Sequence, residues 1–313
     1  MITLRRLALL TDLVAFVVVL LGSWTRINAA GLTCPDWPTC RHSLFPSLAG
    51  GTLWEWTHRL LAFALLPLVL ALAIHVWKRR NRSPFLVPTG ALVLALFVVQ
   101  VGLGAATVDL DNTPFSVVLH WGTAMALIAS LLALAIFAED GGGIRGSPRS
   151  AHPIRTPSLF AILSATAVIT FATMCIGAYV SSSGAGLACL SIPGCAGNAV
   201  VYTPGQIVQM LHRGAAAVTL LFAVASFALV WLRPASQRVR AAASAGLGLV
   251  SLQVLLGLLN IVLRLPTDLR ELHAANAVLV FLSFVAATLF AALDSVISSE
   301  RSALTVRKIE EPA

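Results

Sequence analysis

Four histidines are the residues of this 313-residue chain whose types and spacing most directly suggest chemistry. They fall into two pairs. His58-Arg59 returns as His212-Arg213 at an offset of 154, and His120 returns as His273 at an offset of 153. Their surroundings return with them. Ala30-Gly31-Leu32-Thr33-Cys34 with Cys40 is matched by Ala185-Gly186-Leu187-Ala188-Cys189 with Cys195, at an offset of 155. Gln100-Val101 and Gly104 are matched by Gln253-Val254 and Gly257 at an offset of 153. Each half therefore carries a cysteine pair and two histidines in the same order, which predicts two similar sites in a duplicated unit.

Two imidazoles presented at one depth by two helix faces can grip a flat macrocycle from both sides, as in bis-histidine haem proteins. Zinc is the rival, but it asks for a third or fourth ligand converging on the same point. Arg59 and Arg213 are costly beside a membrane unless they snorkel or find an anion. Haem propionates would supply one through bidentate hydrogen bonds. His42, His75 and His152 lie outside the repeat and read as loop, interface and linker residues.

The two copies differ three residues before the first histidine, where Glu55 stands in one and Gln209 in the other. A carboxyl can carry a proton or stabilise developing positive charge, whereas an amide only hydrogen-bonds. The asymmetry predicts chemistry in the N-terminal half and a fixed cofactor in the C-terminal half.

The elements that must position these residues are membrane helices. The chain is 58% hydrophobic and 11% charged, with a mean hydropathy of +0.88, far from soluble globular composition. Eight apolar runs of bilayer-spanning length follow one another, at about 7–25, 54–77, 84–108, 115–138, 157–181, 205–232, 239–263 and 270–295. The first is too long for a simple signal peptide, lacks a convincing cleavage site and takes the first place in the repeat. The expected fold is all-α: an integral membrane protein of two repeat-related four-helix bundles, residues 1–138 and 157–297. A Gly- and Pro-containing linker, 139–156, joins them, and 298–313 forms a tail.

The net charge of +8 reflects topology rather than nucleic-acid binding. Of 21 Lys and Arg, 15 fall before the first run, after every second run, in the linker or in the tail. The positive-inside rule makes those segments cytoplasmic, with both termini inside a plasma membrane and all four histidines toward the outer face.

The cysteine pairs Cys34/Cys40 and Cys189/Cys195 then lie outside, where disulfides persist. A structural role and a redox role both suit a short-loop bridge. Cys175, inside the fifth run, reads as a small apolar residue. Asp109, Asp111, Asp268 and Glu271 read as solvated. Trp24, Trp54, Trp56 and Trp121 read as an aromatic belt, with Trp56 and Trp121 also able to wall a macrocycle pocket. Pro67 predicts a kink in the second helix.

Over nearly its whole length the chain resembles the heme A synthases. The resemblance rests on the eight spans, Glu55-Trp56-Thr57-His58-Arg59, His120, Leu211-His212-Arg213, His273 and both cysteine pairs. It implies oxidation of a ring methyl of haem O to a formyl group. It implies a resident haem b held by His212 and His273, a substrate site flanked by His58 and His120, and Glu55 as the catalytic carboxylate. It gives Cys34/Cys40 a mechanistic part and Cys189/Cys195 a structural one. Haem O synthase and an unidentified electron acceptor are the candidate partners, alongside membrane lipid. Two other classes compete: a dihaem membrane cytochrome that only transfers electrons, and a non-catalytic haem-delivery protein. With all four histidines at one end, no haem is left for the other face, which argues against the cytochrome.

Overall fold

The protein is described here by a computed structural model covering residues 2–140, 157–195 and 203–310. Among these residues the fold is helical, with no strand beyond a single bridge between Cys40 and Ser43. Eight long helices follow in order: α1 (Leu4–Ile27), α2 (Gly51–Lys78), α3 (Leu86–Asp109), α4 (Pro114–Asp140), α5 (Pro157–Ser182), α6 (Pro204–Leu232), α7 (Gln237–Val262) and α8 (Thr267–Glu310). Each contains a segment long and apolar enough to cross a membrane. The expected spans agree apart from their ends. Helix α8 continues through the region read as a tail, and the linker from 141 to 156, with His152, lies outside the described residues.

Local sequence sets where helices begin. Thr3 caps α1 by accepting from Arg6 N. Thr203 and Gln206 form a capping box at α6, with Pro204 at the first helical position, where its missing N–H costs nothing.

Within each half the helices close a ring. Helix α1 packs on α2 and α4, and α3 completes the circuit; α5, α6, α7 and α8 repeat the arrangement. The halves meet where α1 and α4 face α5 and α8. The first ring is filled by Leu, Ile, Val and Met side chains, including Val69, Leu72, Met125, Ile128 and Leu131. The second adds hydroxyl pairs between α5 and α6: Thr166 with Ser226 at 2.8 Å and Thr173 with Thr219 at 2.9 Å. Such pairs tie helices together where lipid offers no competing partner. Both disulfide loops lie at the same end of the bundle, joining α1 to α2 and α5 to α6.

Candidate functional site

The four repeated histidines stand on the four even-numbered helices, near the end that carries the loops. Each packs against a glycine of the preceding helix. A Cβ on Gly22 would lie 2.7 Å from His58 Cε1, and one on Gly177 2.7 Å from His212 Cε1. A Cβ on Gly104 would lie 3.3 Å from His120 Cε1, and one on Gly257 3.3 Å from His273 Cε1. The clearances are repeated as faithfully as the residues. His58 and His212 therefore occupy slots that only glycine leaves open, while His120 and His273 lie in close contact with theirs.

His58 Nδ1 lies 3.0 Å from the carbonyl of Val18. In the tautomer that donates there, Nε2 is left as a ligand, the usual outer-sphere arrangement for a metal-binding histidine. His120 Nε2 lies 3.3 Å from the Gln100 amide, and its Nδ1 is buried without a partner. In the other half the ring centres of His212 and His273 are 6.4 Å apart, both Nδ1 atoms are buried, and the Thr173 backbone lies beside the His212 ring. That interval takes one metal atom, since two ligand bonds of about 2 Å plus the ring radii fill it. Among the described residues no three His, Cys, Asp or Glu side chains converge on a point, whereas a structural zinc site asks for three or four such ligands.

A cavity of about 210 Å³ opens beside the N-terminal pair. His58, His120, Gln100, Trp121, Glu55 and Arg26 are among the residues that line it. Trp121 thus walls the cavity. Trp56, in contrast, is 5% exposed and packs on the Cys34–Cys40 bridge, so it is neither belt nor pocket wall. Trp24 and Trp54 meet edge to face at 6.0 Å.

The loops over the two sites are held by one design used twice. Disulfides join Cys34 to Cys40 and Cys189 to Cys195. Arg59 reaches back into the first loop, donating from Nη1 to the carbonyls of Asp36 and Thr39 at 2.5 Å each and from Nη2 to that of Cys34 at 2.9 Å. Arg213 donates to the corresponding carbonyls of Ser191 at 2.8 Å, Gly194 at 2.9 Å and Cys189 at 2.7 Å. Both arginines thus pin the loops, and Arg59 also lines the cavity. Peptide mapping under non-reducing conditions should recover both bridges as intraloop pairs, and free thiols at Cys189 and Cys195 would contradict this fold of the loops.

Glu55 and Gln209 occupy equivalent places, each 4% exposed. Glu55 Oε2 accepts from Cys34 N at 2.9 Å and Thr33 Oγ1 at 2.8 Å, while Oε1 pairs with Arg59 Nη2 at 2.7 Å. Gln209 Oε1 accepts from Cys189 N at 2.5 Å, and its Nε2 donates to the Gly186 carbonyl at 2.7 Å. The exchange is matched across the loop: Thr33, which donates to the acid, is replaced by Ala188 opposite the amide. In the first loop the Asp36 carboxyl is held down at about 2, chiefly by the Thr39 hydroxyl that donates to it.

Of the acidic residues read as solvated, Asp109, Asp111 and Asp268 are exposed, but Glu271 is not: both of its carboxylate oxygens are buried and without a hydrogen bond. It lies where α8 meets α1, facing Ser23 and Arg26, a contact between halves that no pattern within one half reveals. The other two described histidines are bland: His42 is exposed beside Asp36 and His75 turns to the Ala71 carbonyl.

The COX15-CtaA family, described as cytochrome oxidase assembly protein, matches residues 5–51 and 48–285. The heme A synthase of Bacillus licheniformis is 30% identical over 224 residues, covering 70% of this chain and 72% of its own. That of Shewanella oneidensis is 28% identical over 329 residues, covering 90% and 94%. That of Symbiobacterium thermophilum is 30% identical over 227 residues, covering 70% and 72%. With eight membrane-spanning helices and two histidine pairs seated identically in two repeated halves, the chain is a multi-pass membrane protein that belongs to the COX15-CtaA family, the heme A synthase family.

Proposed function

We propose that this protein oxidises the ring methyl of haem O to a formyl group, giving haem A. The observation that carries the reading is the set of four histidines on four glycines, in two pairs, of which the N-terminal one faces the Glu55 carboxylate and an open cavity. The N-terminal half, 1–138, is the substrate unit, and the C-terminal half, 157–297, holds a resident haem b. The termini face the cytoplasm and both sites face outward, by the distribution of basic residues.

Methyl to formyl removes four electrons and adds one oxygen: two hydroxylations give a geminal diol, which loses water. The protein must fix the methyl, move protons and pass electrons to an acceptor. His58 and His120 orient the haem O plane. His212 and His273 would hold a haem b, which when bound would supply one-electron transfer. Glu55 sits on the cavity wall with its charge matched by Arg59 and its oxygens filled by three donors. That environment suits a fixed negative charge facing a carbon that becomes electron-poor better than it suits a free proton shuttle. Arg59 and Arg213 act through the loops they hold.

The test is pigment content. Purified protein co-expressed with haem O synthase should contain haem b together with haem O and haem A, whereas haem b alone would fit an electron carrier. His212→Ala and His273→Ala should each lose most of the haem b, and unchanged haem b in both would refute the assignment of the resident site.

A further inference from the structure

The cavity beside His58 and His120 is apolar over most of its wall, yet any haem carries two carboxylates, which need cations or water. Arg59 is committed to loop carbonyls and to Glu55. Arg26, from the last turn of α1, also lines the cavity. Its single hydrogen bond among the described residues runs from Nη1 to Ser181 Oγ at 3.0 Å, so most of its donors have no protein acceptor.

The charges around it are unbalanced. Arg26 is influenced by Arg270, whose Nη1 lies 3.5 Å from the Ile27 carbonyl, and by Glu271, which faces it without a hydrogen bond. Two cations against one carboxylate leave a surplus of one positive charge, the complement of a single further carboxylate. A half-buried surplus cation is costly in a membrane protein unless something is there to meet it.

The repeat says which half the surplus belongs to. Residues 26 and 181 are equivalent at the offset of 155 that relates the cysteine loops. They touch each other across the junction of the halves, one as arginine and the other as serine. Two arginines there would repel, so the cation is present once, and it lines the cavity that faces Glu55.

The geometry points to Arg26 as the anchor for a propionate of the haem O bound between His58 and His120. The inference rests on the proposed function. Arg26 would set which edge of the macrocycle enters first and so which methyl comes to Glu55, as a positioning residue that touches the substrate's carboxylate and not the reacting carbon.

The experiment titrates the purified full-length protein in lipid nanodiscs with haem O and with its dimethyl ester, following the Soret band. Arg26→Gln should weaken haem O binding about 10- to 100-fold, the scale of a lost charge-assisted hydrogen bond. It should leave ester binding unchanged, and Arg26→Lys should recover much of the loss for haem O. Haem b content and the thermal midpoint report folding. Equal losses for acid and ester would show a merely structural arginine and overturn the anchor, as would unchanged binding of haem O. A wild-type protein that binds neither ligand would bring down the reading of the cavity itself.

Discussion

Glu55→Gln should give a folded protein that forms haem A more slowly by about two to four orders of magnitude, the scale of removing a group that acts on charge or protons in the transition state. The other half shows why it should fold. Gln209 holds its loop through Oε1 to Cys189 N and through Nε2 to the Gly186 carbonyl. A glutamine at 55 has the corresponding groups, Cys34 N and the Gly31 carbonyl. The latter already accepts Asn112 Nδ2 at 2.9 Å but keeps a second lone pair. Arg59 would lose its anion yet keep three carbonyls, the situation in which Arg213 already stands. Thr33 Oγ1 would fall back on the Ala30 carbonyl, 3.1 Å away. Loss of the buried pair should cost about 1–3 kcal/mol in stability. Chromatography of extracted haems measures the effect, with haem b content and the thermal midpoint as folding controls. Haem A at the wild-type level would reduce Glu55 to a clasp for its loop.

The feature most legible in the sequence was the repeat, because duplication copies local chemistry at a fixed offset. The histidines, the cysteine bridges and the Glu55/Gln209 exchange could all be found by aligning one half on the other. The spans were legible because a bilayer demands about 20 apolar residues wherever a helix crosses it. What was hidden belongs to contacts between elements. Arg59 and Arg213 read as partners for propionates, but the acceptors they meet are carbonyls brought over by the disulfide loops, joined at Arg59 by Glu55 from its own helix. Glu271 looked solvated because it begins a helix beside a short turn, but the opposite half buries its carboxylate. One missed signal was present all along. Gly22 and Gly177 share the offset of 155, and a glycine kept at one place in two apolar helices has a physical reason, here the flank of an imidazole.

That reason yields the sharpest separation between the two sites. Gly22→Ala and Gly177→Ala each set a methyl 2.7 Å from a histidine Cε1, closer than such carbons approach. The ring cannot simply step aside, since His58 Nδ1 is held 3.0 Å from the Val18 carbonyl. The Thr173 carbonyl is the equivalent neighbour of His212. The helices themselves should not suffer, because alanine is favoured over glycine by about 1 kcal/mol inside a helix. Stability and site occupancy should therefore part company. Gly177→Ala should keep or raise its thermal midpoint while losing most of its haem b. Gly22→Ala should keep haem b and lose haem A formation by about 100-fold, the cost of moving a positioning group by an ångström. Gly104→Ala and Gly257→Ala, with 3.3 Å to spare, ask the facing ring to give only a few tenths of an ångström and should be the milder pair. Haem b content, haem A yield and the thermal midpoint of the four variants decide the matter together. If Gly177→Ala retains full haem b, His212 is not an iron ligand in the seat described. If both alanines simply unfold the protein, the glycines serve helix packing and not the histidines.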